Sequence, residues 1–198
     1  MRRTPAVGRV SAALLATAAV MALAPAAPAS ALGAHRSDRV VDLTRYAGTW
    51  LQLAAVPQLF EIQCAKNVEA VYGATERGTV SVTNSCITWL GTRSRVHGEA
   101  LPLDGTNTRL NVSFVPGNDG YRHGADANYV VAGLDHAYGW AVVTNEERTS
   151  GFVLSRTPRL DPVRTAEVRD AIRRAGLDPR DFRTTRQDGG DPAWSVEP

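Results

Sequence analysis

Side chains that could carry acid–base or metal chemistry are few in this 198-residue sequence. His97, His123 and His136, with scattered carboxylates, are the evident acid–base candidates. None of them stands in a metal-ligand spacing, beside a nucleophile elbow or near a glycine-rich phosphate loop. The sequence therefore predicts a protein that is not an enzyme and that holds no metal or cofactor.

A basic stretch offers a second kind of chemistry. Arg93, Arg95 and His97 alternate along one predicted strand. Facing a cavity, they would hold a carboxylate, a phosphate or an anionic siderophore. Val96 and Ala100 occupy the opposite face, so the pattern favours an outward, solvated placement of the three cations.

Two loops carry groups that could touch a ligand or a partner. Arg122 and His123 would reach a ligand's head group if their loop lies at the rim of a cavity, although loop charges are usually solvated. Trp89 and Leu90 form an exposed-looking apolar pair. Such a pair suits a protein partner, and it would equally well fold over a cavity mouth.

The amino terminus has the pattern of a secretion signal. Three arginines precede an apolar, alanine-rich run that ends at a small-x-small cleavage motif, which predicts a cleaved signal peptide over residues 1–31. No cysteine near the cleavage site could take a lipid, so we expect an exported, soluble protein with no membrane anchor.

Without the three arginines of the signal segment, the chain has 19 basic and 20 acidic residues, a net charge of −1. This balance argues against nucleic-acid binding.

Short stretches rich in β-branched and aromatic residues fill the chain from residue 40 onward, separated by Gly, Asn, Asp and Pro. They predict an all-β fold of eight antiparallel strands, as either a sandwich or a closed up-and-down barrel. The predicted strands lie near 48–56, 66–73, 78–86, 93–101, 108–115, 128–134, 138–144 and 151–156.

The second and third strands predict a hairpin and a disulfide. If paired residue numbers sum to 150 across a turn at 76–78, Cys64 lies opposite Cys86 on the apolar face of the hairpin. An exported protein allows the two thiols to pair, so we favour a Cys64–Cys86 disulfide over two separate buried thiols.

A helix is predicted after the last strand, over residues 161–175. Asp161 and Pro162 read as its cap and first residue, and Gly176 ends it. Its amphipathic pattern, with Val163 and Ala166 among the inner residues, predicts docking on the outside of the sheet. The segment around 182–187 would then form a closing extended segment, and residues 188–198 a flexible tail.

Three ordered motifs make residues 40–187 resemble a lipocalin, closest to the bacterial lipocalins related to apolipoprotein D. The segment 41–50 is similar to the family's first signature, a short 3₁₀ turn that leads into a Gly-x-Trp strand formed here by Gly48 and Trp50. Asp135 and Tyr138 resemble the second signature, and Arg156 stands at the centre of the third. With this resemblance, the expected domain is a lipocalin barrel over residues 32–187.

The resemblance implies structural roles for these residues. Trp50 is expected to plug the closed end of the barrel, with Arg156 stacked over its indole and bonded to carbonyls of the preceding turn. The sequence departs from the family in Leu51-Gln52, where relatives commonly carry Tyr-Glu. A neutral amide then replaces an inward carboxylate.

A barrel of eight strands is about wide enough for one small ligand. The main hypothesis is an extracytoplasmic protein that carries or sequesters a small hydrophobic molecule, such as a fatty acid or another lipid. A lipocalin-fold enzyme of the isomerase kind, or a protein-binding barrel such as a protease inhibitor, stays open as an alternative. The predicted cavity wall consists of Val68, Ala70, Tyr72, Val80, Val82, Leu110, Val112, Phe114, Trp140, Phe152 and Leu154.

Overall fold

The computed structural model describes residues 40–197 of the chain. The predicted signal segment, residues 1–31, lies outside the described residues. Helix α1 (Leu43–Tyr46) begins at Asp42, whose carboxylate accepts hydrogen bonds from the next backbone amides. It is one turn of α-helix where the resemblance implied a 3₁₀ turn.

Eleven strands follow, and eight of them form the barrel. These are β1 (Gly48–Ala55), β2 (Cys64–Ala74), β3 (Val80–Thr88), β4 (Arg93–Pro102), β5 (Arg109–Ser113), β8 (Tyr129–Leu134), β9 (Trp140–Thr144) and β10 (Gly151–Ser155). The others are the short hairpin of β6 (Pro116–Gly117) and β7 (Gly120–Tyr121), and the late strand β11 (Arg183–Thr184).

The barrel is antiparallel and closed. Each of the eight strands pairs with its neighbour along the chain, and β1 then pairs with β10 to complete the ring. Closure removes the free sheet edges that a sandwich would leave, and it encloses a space between the inward side chains. The prediction of an eight-stranded up-and-down barrel is confirmed.

The hairpin of β2 and β3 has a register different from the predicted one. Tyr72 pairs with Val82, so paired numbers sum to 154, where the prediction used 150. The cause is the turn, which is centred on Arg77, with Thr75 and Thr79 joined through their backbones. The error is an even number of residues, so the inward faces are unchanged.

The Cys64–Cys86 disulfide is confirmed. Two register shifts near the start of β2 bring the two Cα atoms to 5.6 Å, although Cys64 is paired with Thr88 in the ladder. A bulge inserts an extra residue and bends its strand, which accounts for the diagonal approach.

Helix α2 (Pro162–Arg174) packs on the outside of the barrel against β8 and β9. Its buried face consists of Thr165, Val168, Ala171 and Ile172. Val163 and Ala166, both predicted to face inward, are exposed, Val163 by 69%, because the helix turns its 165–168–172 stripe toward the sheet.

The carboxyl-terminal segment corrects the expectation of a loose tail. Val196 is 1% exposed, and Arg169 of α2 donates hydrogen bonds to the backbone carbonyls of residues 195–197. Further upstream, Gln187 donates from Nε2 to the carbonyls of Gln52 and Val68, which bridges β1 and β2 where their pairing ends. The segment therefore closes the seam between the first two strands.

Candidate functional site

A cavity of about 720 Å³ occupies the barrel, on the side away from α1. Alternate residues of the barrel strands form its wall, and the loops 58–63 and 145–150 border its mouth. Eight of the eleven residues predicted for the wall line it, namely Val68, Ala70, Tyr72, Val82, Val112, Phe114, Phe152 and Leu154.

Two of the remaining three face the interior below the cavity. Val80 and Leu110 lie in the barrel core beside a small void of about 20 Å³ that also touches Tyr72 and Val112. They fill the closed end of the barrel and do not line the main space.

The prediction that Trp140 lines the cavity wall is wrong. Its side chain packs outside the barrel, under α2, and its indole Nε1 donates to Glu167 Oε2 at 3.3 Å. Gly133 makes room for this packing, since a Cβ there would lie 2.8 Å from the Cβ of Ala171. The sequence of β9, Trp-Ala-Val-Val-Thr, does not alternate between polar and apolar residues. The pattern therefore does not show which of its side chains point into the barrel.

Tyr72 and Tyr129 form the cavity floor, and Tyr46 lies beneath them beside the small void. The hydroxyl of Tyr129 lies 2.8 Å from that of Tyr46 and donates to that of Tyr72 at 3.1 Å. Burial raises the pKa of Tyr72 to about 12 and raises the pKa values of Tyr46 and Tyr129 as well. All three phenols therefore stay protonated and offer neutral hydroxyls at neutral pH.

The closed end is held by Trp50 and Arg156. Trp50 is fully buried, and the Arg156 guanidinium lies 3.9 Å from the centre of its ring. Arg156 also donates to the carbonyls of Thr49 and of residues 45–47 at 2.7–3.1 Å. The planar guanidinium, with its fork of N–H donors, and its cation–π contact with Trp50 thus fix α1 to the end of the barrel.

Asp135 and Tyr138 hold the turn between β8 and β9. Asp135 accepts a hydrogen bond from the backbone of Gly139, and the Tyr138 hydroxyl accepts one from the backbone of Asp42. Gly48 has a φ of +94°, a conformation that favours glycine at the start of β1. These contacts position backbone and do not reach the cavity.

Polar side chains that the predicted wall lacked also border the cavity. Gln52 is 5% exposed and donates from Nε2 to Glu61 Oε2 and to Thr185 Oγ1, both at 3.1 Å. Burial raises the pKa of Glu61, and the bond from Gln52 opposes that rise. The carboxylate absent from position 52 is thus supplied from the loop after β1.

Asn84 lines the cavity with an unmet acceptor. Its side-chain oxygen Oδ1 is buried and has no hydrogen-bond partner among the described residues. An acceptor left unpaired in an apolar surrounding costs free energy that a ligand donor would recover. Asn84 shares the inward face of β3 with Val80 and Val82, so strand alternation alone could have identified it.

The lining contains no lysine, arginine or histidine among the described residues. Ser94 and Val96 face the cavity, whereas Arg93 binds Glu69 at 2.8 Å and His97 contacts Thr83 on the outer surface. The three alternating cations therefore lie outside the cavity.

The loop with Arg122 and His123 lies on the outer surface of the barrel, against β4. His123 Nε2 is 3.3 Å from Oε1 of the buried Glu99, which also binds Arg77 at 2.6 Å. This network anchors the hairpin of β6 and β7, and it does not border the cavity.

The part of the chain that the structure describes offers neither a metal site of clustered ligands nor a membrane-spanning helix. No three or more of its His, Cys, Asp or Glu side chains cluster so that they could hold a metal ion. Within residues 40–197, none of the helices has the length and apolarity needed to cross a membrane.

Comparison with known proteins agrees with this architecture. The sequence profile of a family described as the lipocalin-like domain matches residues 41–187. The outer membrane lipoprotein Blc of Escherichia coli is 29% identical over 180 residues, which cover 88% of this chain and 94% of that protein.

Solved structures show the same fold at lower identity. The cockroach allergen Per a 4 superposes with a TM-score of 0.58 at 19% identity, covering 74% of this chain and 88% of that one. Insecticyanin from the tobacco hornworm gives a TM-score of 0.58 at 18% identity, with 74% and 81% covered.

Proposed function

The chain belongs to the lipocalin family, whose members bind small hydrophobic ligands, and we propose that it binds one such molecule in its barrel and carries or sequesters it outside the cytoplasm. The cavity of about 720 Å³ carries this proposal. Its volume falls within the usual range of small-molecule pockets. The disulfide supports an oxidising compartment, as does the relation to an outer membrane lipoprotein.

The wall favours an acyl chain or another apolar tail. Val68, Val82, Val112, Phe152 and Leu154 present hydrocarbon to the cavity. Each Å² of apolar ligand surface removed from water would contribute roughly 25 cal/mol of favourable binding free energy. The loss of the ligand's translational and rotational freedom opposes this gain. The expectation of a lipid ligand follows from this surface.

The charges narrow the class of lipid. A free carboxylate inside the cavity would lose its hydration with no cationic side chain in the lining to replace it. Glu61 would repel that carboxylate and attract an ammonium group. Asn84 and the tyrosine floor accept hydrogen bonds. We therefore propose a chain with a neutral or cationic, hydrogen-bond-donating head over a free fatty acid.

The test compares decylamine, decanol and decanoate, which share one chain length, by titration calorimetry at neutral pH. We expect the amine to bind more tightly than the alcohol, and decanoate to bind at least tenfold more weakly than either. In the Glu61→Gln variant the amine loses its advantage over the alcohol, because the Glu61 carboxylate is gone, the apolar wall is unchanged, and the other acidic residue of the lining, Glu69, stays paired with Arg93 at 2.8 Å.

Glu147→Gln is the matched control, since Glu147 is an exposed carboxylate on the loop between β9 and β10 and does not line the cavity. Binding of none of the three probes would refute the carrier function. Binding of all three with decanoate tightest would leave the carrier function standing and refute the head-group preference.

A further inference from the structure

Two loops at the cavity mouth carry five large apolar side chains that face solvent. These residues, called the apolar rim below, are Leu59, Phe60, Ile62, Trp89 and Leu90, with exposed fractions from 63% for Phe60 to 89% for Leu90. Single exposed apolar residues are common, but a cluster of this kind marks an interaction surface.

The rim is held in place by its own contacts. The indole Nε1 of Trp89 donates to the carbonyl of Ile62 at 2.9 Å, and the Trp89 backbone amide donates to the carbonyl of Gln63 at 3.2 Å. The Cys64–Cys86 disulfide joins β2, which follows the first loop, to β3, which precedes the second. The two loop tips therefore form one surface, ordered without a partner.

The rim is continuous with the cavity. Phe60 lines the cavity and is also exposed, so the apolar wall continues outward onto the rim. A ligand that suits this wall is poorly soluble in water and resides in membranes. A rim that touched a bilayer would give such a ligand an apolar path into the barrel.

Charge beside the rim matches a phospholipid surface. Arg93 and Arg95 begin three residues after Leu90, on the outer face of β4, and both are exposed. Arg93 forms an ion pair with Glu69, whereas Arg95 has no ion pair among the described residues. Arginines next to an inserted apolar tip lie at the depth of lipid phosphates, and tryptophan favours that boundary.

We propose that the apolar rim inserts into the interfacial layer of a phospholipid bilayer and brings the cavity mouth against the lipid. Two narrow tips with side chains that protrude into solvent suit penetration between head groups better than a flat protein interface does. The surface needs no bound ligand, so its test is independent of the carrier function.

The test measures partition of the purified chain to vesicles of phosphatidylcholine, with and without phosphatidylglycerol, by sedimentation. Trp89 is 73% exposed, whereas Trp50 and Trp140 are buried and Trp194 is half-buried. A blue shift of tryptophan emission on vesicles, with quenching by lipids brominated in the acyl chain, therefore reports on the rim. In Trp89→Phe the shift and quenching disappear.

Leu59→Asp combined with Leu90→Asp is expected to lower the partition at least tenfold. Arg95→Gln is expected to remove most of the added partition that phosphatidylglycerol gives. Val163→Asp is the matched control, because it places the same charge at an exposed apolar position on α2, away from the rim. Thermal melting of each variant checks the fold, which exposed substitutions leave intact.

Three results would overturn the proposal. The first is no partition of the unmodified chain to either vesicle. The second is an equal loss of partition in Val163→Asp. The third is a dimer in sedimentation velocity that the double aspartate variant dissociates, without any vesicle binding, because the rim would then be an interface between two copies of this chain.

Discussion

Replacing Arg156 tests how the closed end of the barrel is held. Its guanidinium stacks 3.9 Å from the Trp50 ring centre and donates to four backbone carbonyls around α1. Arg156→Ala removes both the stacking and the donors. Arg156→Lys keeps a cation near the ring but loses the planar fork, so we expect it to satisfy about half of the carbonyls.

The magnitude follows from these contacts. A cation–π contact is worth about 0.5–2 kcal/mol and each hydrogen bond to a charged group about 1.5 kcal/mol, before water replaces part of the loss at this half-exposed side chain. We expect the free energy of unfolding to fall by about 3 kcal/mol in Arg156→Ala and by about 1–2 kcal/mol in Arg156→Lys. For a domain of this size, the alanine variant would melt roughly 6–12 °C lower.

Arg45→Ala is the control for this measurement. The Arg45 guanidinium lies 4.1 Å from the centre of the Tyr138 ring at the same end, but among the described residues it makes a single hydrogen bond, to the carbonyl of His136, and it is exposed. We expect its loss to cost below about 1 kcal/mol by chemical denaturation. If the two alanine variants unfold at the same denaturant concentration, the fork on α1 does not stabilise the barrel as argued.

Three other substitutions test separate parts of the fold. Cys64→Ser with Cys86→Ser should lower the unfolding free energy by about 3 kcal/mol in oxidising buffer, and a reducing agent should bring the unmodified chain to the same value. Gly133→Ala should cost about 1–3 kcal/mol in denaturant titrations, because its Cβ would meet Ala171, and Ala171→Gly should restore most of that loss. Burial raises the pKa of Tyr72 to about 12, above the value near 10 of an unfolded chain, so its stabilising contribution is complete below about pH 10 and is lost toward pH 12. Tyr72→Phe should therefore flatten the fall in stability over that range, and an unchanged fall would contradict the assignment.

Strand positions follow from local chemistry and could be predicted closely. Residues 93–101 were predicted as a strand and the structure has Arg93–Pro102; residues 151–156 were predicted and the structure has Gly151–Ser155. Strands are indicated by polar–apolar alternation, by β-branched residues and by turn residues at their ends. These signals all lie within a few positions of the strand itself, so they can be recognised in a single sequence.

Features that depend on bulges could not be predicted in this way. The shift between Gln52 and Ala54 turns Ala54 to the outer face of the barrel wall, where it is buried in the cluster under α2, away from the face of Trp50. Each bulge reverses which side chains of the following residues point inward, and no residue type near it indicates where it lies. The diagonal approach of Cys64 to Cys86 depends on bulges in the same way.

Contacts between distant segments were the other source of error. Trp140 lies under α2 because Gly133 and Ala171 leave space there, which a stretch of continuous apolar residues cannot indicate. Val196 is buried only because α2 and the closing segment meet beside it. Glu61 borders the cavity because its loop folds over the mouth, a placement set by the barrel as a whole.

The most direct measurement is the stoichiometry of decanol binding by calorimetry in the unmodified chain and in Val112→Trp. Val112 is half-buried on the cavity wall, so an indole there would project into ligand space. A cavity ligand predicts one decanol per chain, at least tenfold weaker binding in Val112→Trp at unchanged melting temperature, and no effect of Val163→Trp on the outer helix. Equal affinity in Val112→Trp and the unmodified chain would place the ligand outside the barrel and contradict the account.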